Sequence, residues 1–363
     1  MAGEEWIDVG SAEELKATPV RSVVVGRHKL ALTCRDCVFG AISGVCNHVG
    51  GPLDEGTLEG EFVTCPWHYY KFHFQTGAGE PGYEADRVPS HEVKVEGGRV
   101  LVHSEQKTKR GRLPHAPHAL ARAFEPHEGL PRVLGISTTV MDQSHPRYST
   151  SEALLGIALD HAKDTLGLET RLLKLGELKF RACEGFYSKS SRACTWPCSI
   201  TQMDPADQLE QVYEGLVHWA DVILIATPIR WGAASSLYYK MVERMNCVQN
   251  QITTHDRVLL RDKAVAFVIT GGQDNVQAVA GQMLGFFAEI GCVFPPFPYV
   301  AHSRGWTAED MERNVEIVRE SEELHKGTRA LVDRTVEMAK RLMETRICGK
   351  SVERGGRKAH APR

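Results

Sequence analysis

The first hundred residues carry apolar and polar positions in short alternating runs. Ser22–Val25, Lys29–Thr33, Phe62–Thr64, His91–Val95 and Val100–His103 are each set off by Gly, Pro, Asn or Asp. Period-two runs between turn residues predict strands, so residues 1–105 are expected to form a small all-β domain. Ser104–Pro131 is rich in Lys, Arg, His and Pro and has little period. Within it, residues 106–131 are expected to be a solvated linker, with contact to an acidic partner as the other use of its charge.

From Arg132 the pattern changes. Arg132–Ser137 and Thr170–Leu175 read as short strands. Asp221–Ala226 and Lys263–Thr270 are nearly unbroken apolar runs, as in strands buried on both faces of a parallel sheet. Helical spacing is found at Ser149–Leu166, which opens on capping hydroxyls, and at Ala206–Trp219, Ala234–Cys247 and Asn275–Ile290. Phe297–Ala301 is expected as a last strand and Thr307–Thr345 as a closing helical region. Strand–helix alternation of this kind predicts a doubly wound α/β domain over 132–345. Residues 346–363, basic and glycine-containing, are expected to be a disordered tail.

A chain of 363 residues accommodates two such domains. Its net charge of −3 gives no global attraction to nucleic acid or to an anionic membrane, so neither is expected as a partner. No apolar run reaches the ~18 residues of a membrane span. The start, Met-Ala-Gly-Glu-Glu-Trp, lacks the basic and apolar stretches of a secretion signal, so a cytoplasmic location is expected. In that reducing compartment, ten cysteines are expected as metal ligands or small buried hydrophobes and not as a disulfide framework.

Cys46-Asn47-His48 and Cys65-Pro66-Trp67-His68 place two Cys/His pairs on turns after strand-like runs, with 16 residues between His48 and Cys65. Two thiolates and two imidazoles suit a 2Fe–2S cluster in which each ligand type holds one iron. The same four ligand types can also hold a tetrahedral zinc, and as isolated pairs they leave both open.

The stretch from about Trp6 to His103 resembles a Rieske ferredoxin domain. The resemblance is carried by His48-Val49-Gly50-Gly51-Pro52-Leu53, by the Cys65–His68 box, and by Thr76-Gly77. It implies a 2Fe–2S cluster held by Cys46, His48, Cys65 and His68. Gly51 and Trp67 stand where high-potential members carry an extra disulfide, which implies the ferredoxin-like kind. Tyr69 departs from the glycine common after the second histidine. Cys34 and Cys37 form a C-x-x-C outside these loops and are read as ordinary residues.

In the second half, Ser137-Thr138-Thr139 leads through Ser144, Pro146 and Arg147 to Ser149-Thr150-Ser151 at a helix start. Hydroxyls, a helix N-terminus and an arginine suit one phosphate, though a capped turn uses the same residues. No G-x-G-x-x-G or P-loop is present. Thr227-Pro228-Ile229-Arg230-Trp231-Gly232 and Thr270-Gly271-Gly272-Gln273 follow two of the predicted strands. In this order the segments resemble the flavodoxin-like NAD(P)H-dependent FMN reductase family, over about Arg132–His302.

That resemblance implies FMN with its phosphate near Ser137, Ser144, Arg147, Ser149, Thr150 and Ser151. The ring is then expected against Thr227, Pro228, Ile229, Arg230, Trp231, Gly232, Gly271 and Gly272, with NAD(P)H as donor and a homodimer as the assembly. Cys183, Cys194 and Cys198 lie where some iron–sulfur flavoproteins place a 4Fe–4S centre, but three cysteines do not supply four thiolates. A peroxide-sensitive or disulfide-forming loop is the other reading of these three. Cys247, Cys292 and Cys348 are read as structural.

A multi-domain chain of this kind, a small all-β Rieske domain followed by a doubly wound flavodoxin-like domain, implies one wire: NAD(P)H to FMN to cluster to a small-molecule acceptor (a quinone or nitro compound) or a protein such as an oxygenase. The cofactors carry that chemistry, so no catalytic acid or base side chain is expected. The alternative is a non-catalytic electron-transfer or redox-responsive binding protein whose Rieske domain docks a partner. In a third option the flavin domain works alone.

Overall fold

The computed structural model describes residues 6–113, 117–271, 275–305 and 307–347. It divides into two units, Met1–Pro117 with Gly185–Cys194, and His118–Glu184 with Thr195–Arg363.

In the first unit, strands β1 (Trp6–Ser11), β2 (Val20–Val25), β3 (His28–Arg35), β4 (Val38–Ser43), β8 (Ser90–Glu96) and β9 (Arg99–Gln106) form an antiparallel sheet in the order β1-β9-β8-β4-β3-β2. Strands β5 (Thr57–Glu59), β6 (Phe62–Thr64) and β7 (Lys71–His73) form a second sheet of three. Alternate residues of β3 and β4 face opposite cores. Leu30, Leu32 and Ala41 pack with Leu15, Val100 and Val102 on one side. Ala31 and Ile42 pack with Leu53, Val63, Phe72 and Val88 on the other. The second core is the floor on which both cysteine loops rest.

The stretch read as a solvated linker is not one throughout. β9 runs to Gln106, and Arg87 and Gly111 exchange two backbone hydrogen bonds of 2.9 Å each. Arg110 donates to Ser43 Oγ (2.9 Å) and to the Val45 carbonyl (3.1 Å). Polar composition predicted a tether, but these groups bond the loops beside the cysteines. Residues 114–116 lie outside the described residues.

The second unit is built on five parallel strands, β10 (Val133–Ser137), β11 (Thr170–Lys174), β12 (Val222–Pro228), β13 (Ala264–Gly271) and β14 (Tyr299–Ser303), ordered β11-β10-β12-β13-β14. Its three inner strands are almost wholly buried because helices cover both faces, the reason their sequence shows no alternation. On one face Leu154, Leu155 and Ala158 of the helix Thr150–Asp160 meet Val133, Val222, Leu224, Val268, Leu331 and Val336. Each such buried aliphatic contributes roughly 1.5–3 kcal/mol of transfer free energy. Ser149 caps that helix, accepting from the Glu152 N–H at 3.3 Å.

Several helices differ from expectation at their ends. The Ser149–Leu166 pattern is α-helical to Asp160 and then winds more widely over His161–Thr165, before Gly167 turns at φ +66°. Ala206–Trp219 is regular only over Glu210–Tyr213, followed by a wide turn over Glu214–Trp219. Ala234–Cys247 is Ser236–Arg244, and a further helix, Asn246–His255, was not expected. Its Asn, Gln and Thr residues hide the signal, although Asn250 and Gln251 are buried. The Thr307–Thr345 region is two helices, Ala308–Glu320 with a Thr307/Asp310 capping box, and Glu322–Ile347. That second helix includes the first two residues of the expected tail, whose remainder, 348–363, lies outside the described residues. Among the described residues no helix is long and apolar enough to cross a membrane.

Candidate iron–sulfur and flavin sites

The first cysteine loop leaves β4 and returns on itself. The Cys46 N–H bonds to the Gly51 carbonyl at 2.8 Å and the Leu53 N–H to the Gly44 carbonyl at 2.8 Å. Gly50 sits at φ +82°, and a Cβ on Gly51 would stand 2.7 Å from Cys65 Sγ, so only glycine lets the two loops approach this closely. Asn47 holds the loop from below, donating to Asp86 Oδ1 (2.9 Å) and the Gly111 carbonyl (2.8 Å) while its oxygen accepts from Arg110.

The second loop joins β6 to β7. The Cys65 N–H bonds to the Tyr70 carbonyl (2.8 Å), and the Tyr69 N–H bonds back to the Cys65 carbonyl (3.0 Å). Tyr69 has φ +60°, the left-handed region in which a side chain costs about 1–2 kcal/mol. Tyr69 thus holds a backbone conformation that glycine adopts without strain.

Together the loops bring the four residues into two like pairs. Cys46 and Cys65 are buried with their thiols hydrogen-bonded to each other. The shared hydrogen bond and burial push the Cys46 thiol up. The Cys65 thiol is drawn down to about 7, first by the Cys46 S–H, then by the Trp67 and His68 backbone N–H groups and the Lys189 ammonium. His48 Nδ1 and His68 Nδ1 face each other at 3.0 Å, and Tyr70 stacks on His48 with centroids 4.7 Å apart. The outer nitrogen of His68 meets the Ala193 carbonyl at 2.6 Å. A carbonyl only accepts, so Nε2 bears the proton and Nδ1 presents its lone pair. Burial holds His68 below the usual histidine range, in the neutral form that binds metal. Among the described residues no three His, Cys, Asp or Glu side chains are grouped as a single-ion site. A thiol pair beside an imidazole pair is the donor set of a two-iron cluster with unlike irons.

In the second unit a cavity of 220 Å³ opens at the carboxyl ends of the parallel strands, where open α/β sheets bind ligands. Thr139, Val140, Met141, Arg147, Tyr148, Ser149 and Thr150 line it after β10, and Pro228, Ile229 and Arg230 after β12. Thr270, Gly271, His302, Asn314 and Val315 complete it. Two arginines, several hydroxyls and the N-terminus of an 11-residue helix suit a phosphate dianion. Pro228, Ile229 and the bare Gly271 backbone leave a flat apolar wall. These residues fit FMN.

Of the expected flavin contacts, Arg147, Ser149, Thr150, Pro228, Ile229, Arg230 and Gly271 line the cavity. Ser137 and Ser151 lie beneath it: Ser137 donates to Glu152 Oε2 (2.8 Å), and Ser151 pairs with the Thr139 and Ser149 hydroxyls. Ser144 is exposed outside the lining, its N–H held by Asp142. Thr227 is buried, and its hydroxyl accepts from the Ser235 N–H. Trp231 is 96% exposed, and Gly232 turns beside it at φ +73°. Gly272 lies outside the described residues. Thr139 and Thr270, neighbours of the expected contacts in the same sequence motifs, line the cavity as well. His302 and Asn314, joined Nε2 to Oδ1 at 2.8 Å, carry no local signal.

A paired thiol–imidazole centre and a phosphate-and-ring cavity in one chain define an electron-transfer oxidoreductase of the iron–sulfur flavin class. Comparison with known proteins agrees. The model of the Rieske (2Fe-2S) domain matches residues 5–92, and that of the NADPH-dependent FMN reductase matches residues 131–307. The ferredoxin component of a naphthalene 1,2-dioxygenase system from Pseudomonas aeruginosa is 30% identical over 99 residues, 27% of this chain and 95% of the relative. Ferredoxin CarAc of Metapseudomonas resinovorans is 34% identical over 105 residues, 28% of this chain and 96% of the relative. A crystal structure of RosB with a bound 8-demethyl-8-formylriboflavin-5'-phosphate intermediate aligns at 18% identity and a TM-score of 0.46, over 65% of this chain and 96% of that one. The chain belongs to the Rieske ferredoxin family through its N-terminal part, fused to an FMN reductase domain. It is an FMN-dependent, NAD(P)H-linked electron-transfer oxidoreductase with a 2Fe–2S cluster.

Proposed function

We propose that Cys46, His48, Cys65 and His68 hold the cluster, that the cavity at Arg147 and Gly271 holds FMN, and that electrons pass from NAD(P)H through both to an acceptor protein. When bound, the flavin converts a two-electron hydride into single electrons, which the cluster carries one at a time. Arg147 and the N–H groups at the Ser149-capped helix neutralise the phosphate. Pro228, Ile229 and Val315 exclude water from the ring. Asn47, held by Arg110 and Asp86, keeps His48 and Cys46 at fixed spacing, and the Trp67 and His68 N–H groups stabilise sulfur charge at Cys65.

The reading rests on one observation: two imidazole Nδ1 atoms 3.0 Å apart beside a buried thiol pair, in a chain that also carries the strand-end cavity. The matching relatives are named as ferredoxin components of dioxygenase and monooxygenase systems, which favours a protein acceptor of the oxygenase kind. A homodimer belongs to the same proposal and is checked by light scattering.

The test is iron and flavin analysis of anaerobically purified protein, with absorbance and electron paramagnetic resonance before and after NAD(P)H. The expected result is two irons and one FMN per chain, and a reduced-cluster signal that appears with NAD(P)H alone. Flavin that bleaches while the cluster stays oxidised, or a zinc-loaded protein, would overturn the proposal.

A further inference from the structure

The second unit buries two cysteines that the strand-end cavity leaves unused. Cys198 immediately precedes the short helix Ser199–Met203, and Cys247 is the second residue of the helix Asn246–His255. Both converge on Arg244, whose side chain is wholly buried. Arg244 Nε donates to Cys198 Sγ at 3.3 Å. Its other N–H groups go to Asp207 (2.7 and 3.1 Å), Thr201 Oγ1 (2.9 Å) and the Arg181 carbonyl (2.8 Å), so the guanidinium is fixed in place. Cys247 Sγ lies 3.3 Å from the Arg244 carbonyl and 3.7 Å from the Tyr213 hydroxyl. Its S–H also reaches the Cys198 sulfur. That S–H, joined by the Arg244 charge and the Ile200 N–H, outweighs burial and draws the Cys198 thiol down to about 5. Cys292, buried in the same unit, shows the ordinary outcome: burial pushes its thiol up.

We propose that Cys198 and Cys247 form a dithiol–disulfide site for hydrogen peroxide, in which Cys198 is oxidised first and Cys247 closes the disulfide. The Cys198 thiolate attacks one peroxide oxygen: an S–O bond forms, the O–O bond breaks and hydroxide leaves. The sulfur gives up two electrons and the peroxide takes them. The Cys247 sulfur then attacks Cys198, its proton joins the departing hydroxyl as water, and the S–S bond closes. One thiolate, one thiol and one hydrogen peroxide thus become a disulfide, a water and a hydroxide.

Burial sets the two roles. Cys198 is 7% exposed and Cys247 1%. A small oxidant meets the first sulfur, and the second is met only by the first. An ordinary thiol is a few per cent ionised at pH 7. Arg244 holds Cys198 in the attacking form and sets a cation beside the leaving hydroxide. The site lies within the second unit and uses neither cluster nor flavin, so it stands apart from the function proposed above.

Peptide mapping tests it on the full chain. Anaerobically purified protein receives one equivalent of hydrogen peroxide at pH 7, is unfolded in iodoacetamide, digested and read by mass spectrometry. The expected product joins the Cys198 and Cys247 peptides, with both thiols lost together, and dithiothreitol restores them. Cys37, the exposed cysteine, should still be alkylated as a free thiol. Cys247→Ala should stop at the sulfenic acid, captured on Cys198 as a dimedone adduct. Loss of the Cys37 thiol while Cys198 and Cys247 remain alkylated overturns the inference, because exposure alone would then order the reactivity. A disulfide from Cys198 to any other cysteine, or a Cys247→Ala protein with no adduct on Cys198, overturns it too. Failure of any of these leaves the proposed electron route untouched.

Discussion

The Lys189 ammonium bonds at 2.7 Å to the carbonyl of Pro66, the residue that follows Cys65. It thus places a positive charge beside a cysteine whose thiolate it helps to stabilise. Reduction adds a negative charge to a cluster, so a fixed cation favours the reduced form. Lys189→Met should lower the cluster's potential. Because Lys189 is exposed and screened, the change should be modest, roughly 20–60 mV, up to tenfold in a one-electron equilibrium. A redox titration followed by electron paramagnetic resonance reads it, and an unchanged or raised potential contradicts the assignment.

Cys46→Ser removes one of the two buried thiols proposed as ligands and should abolish the cluster. The parallel-sheet unit should still bind FMN and accept hydride, so NAD(P)H should bleach the flavin at the ordinary rate while reduction of a protein acceptor is lost. Iron analysis and acceptor assays decide between the single wire and a flavin domain that works alone, since the second would leave acceptor reduction intact.

The cavity proposed for FMN makes two separable predictions. Arg147→Ala withdraws a charge-assisted contact of about 1.5–3 kcal/mol and should weaken FMN about tenfold or more in a fluorescence-quenching titration. Gly271→Ala would place its new Cβ 2.7 Å from Ile229 Cβ. Overpacking should cost about 1–3 kcal/mol of stability and push the Ile229 wall into the ring site. Lower thermal stability together with weaker FMN binding is expected, and neither change would follow if this wall were open.

The second unit also contains a buried ion pair, Arg244–Asp207, with nitrogen and oxygen 2.7 Å apart. Burial alone would raise the Asp207 pKa. Hydrogen bonds from Arg244 and Thr201, with the Arg244 charge, outweigh it and hold the carboxyl below its usual range. A depressed folded pKa stabilises at pH above the unfolded value, near 4, and that stability is lost as pH falls through the folded value. Urea unfolding should therefore show a stability contribution that is flat near pH 7 and declines below about pH 4. Arg244→Met leaves the carboxylate buried without its cation and should cost about 3–5 kcal/mol at pH 7, and less in acid.

How far the site was legible depends on how local its parts are. Cys46 with His48, and Cys65 with His68, lie within three or four residues on single turns, so their spacing could be read along the chain. The near-unbroken apolar runs of β12 and β13 marked a parallel core for the same reason. Arg110 was read as part of a tether because its partners, Ser43 and Asn47, lie more than sixty residues earlier. Asn246–His255 was missed because its buried face is polar.

By itself, the sequence determined the donor residue types, the loops that carry them, and the buried parallel strands β12 and β13, since each is written in patterns of two to eight residues. Only the tertiary structure decided that Gly185–Cys194 leaves its neighbours to close over His68, 125 residues away from Ala193. It also decided that His302 and Asn314 wall the cavity at the strand ends. Such contacts arise when whole sheets bury their faces, and a packing of distant surfaces leaves no period or spacing in the chain.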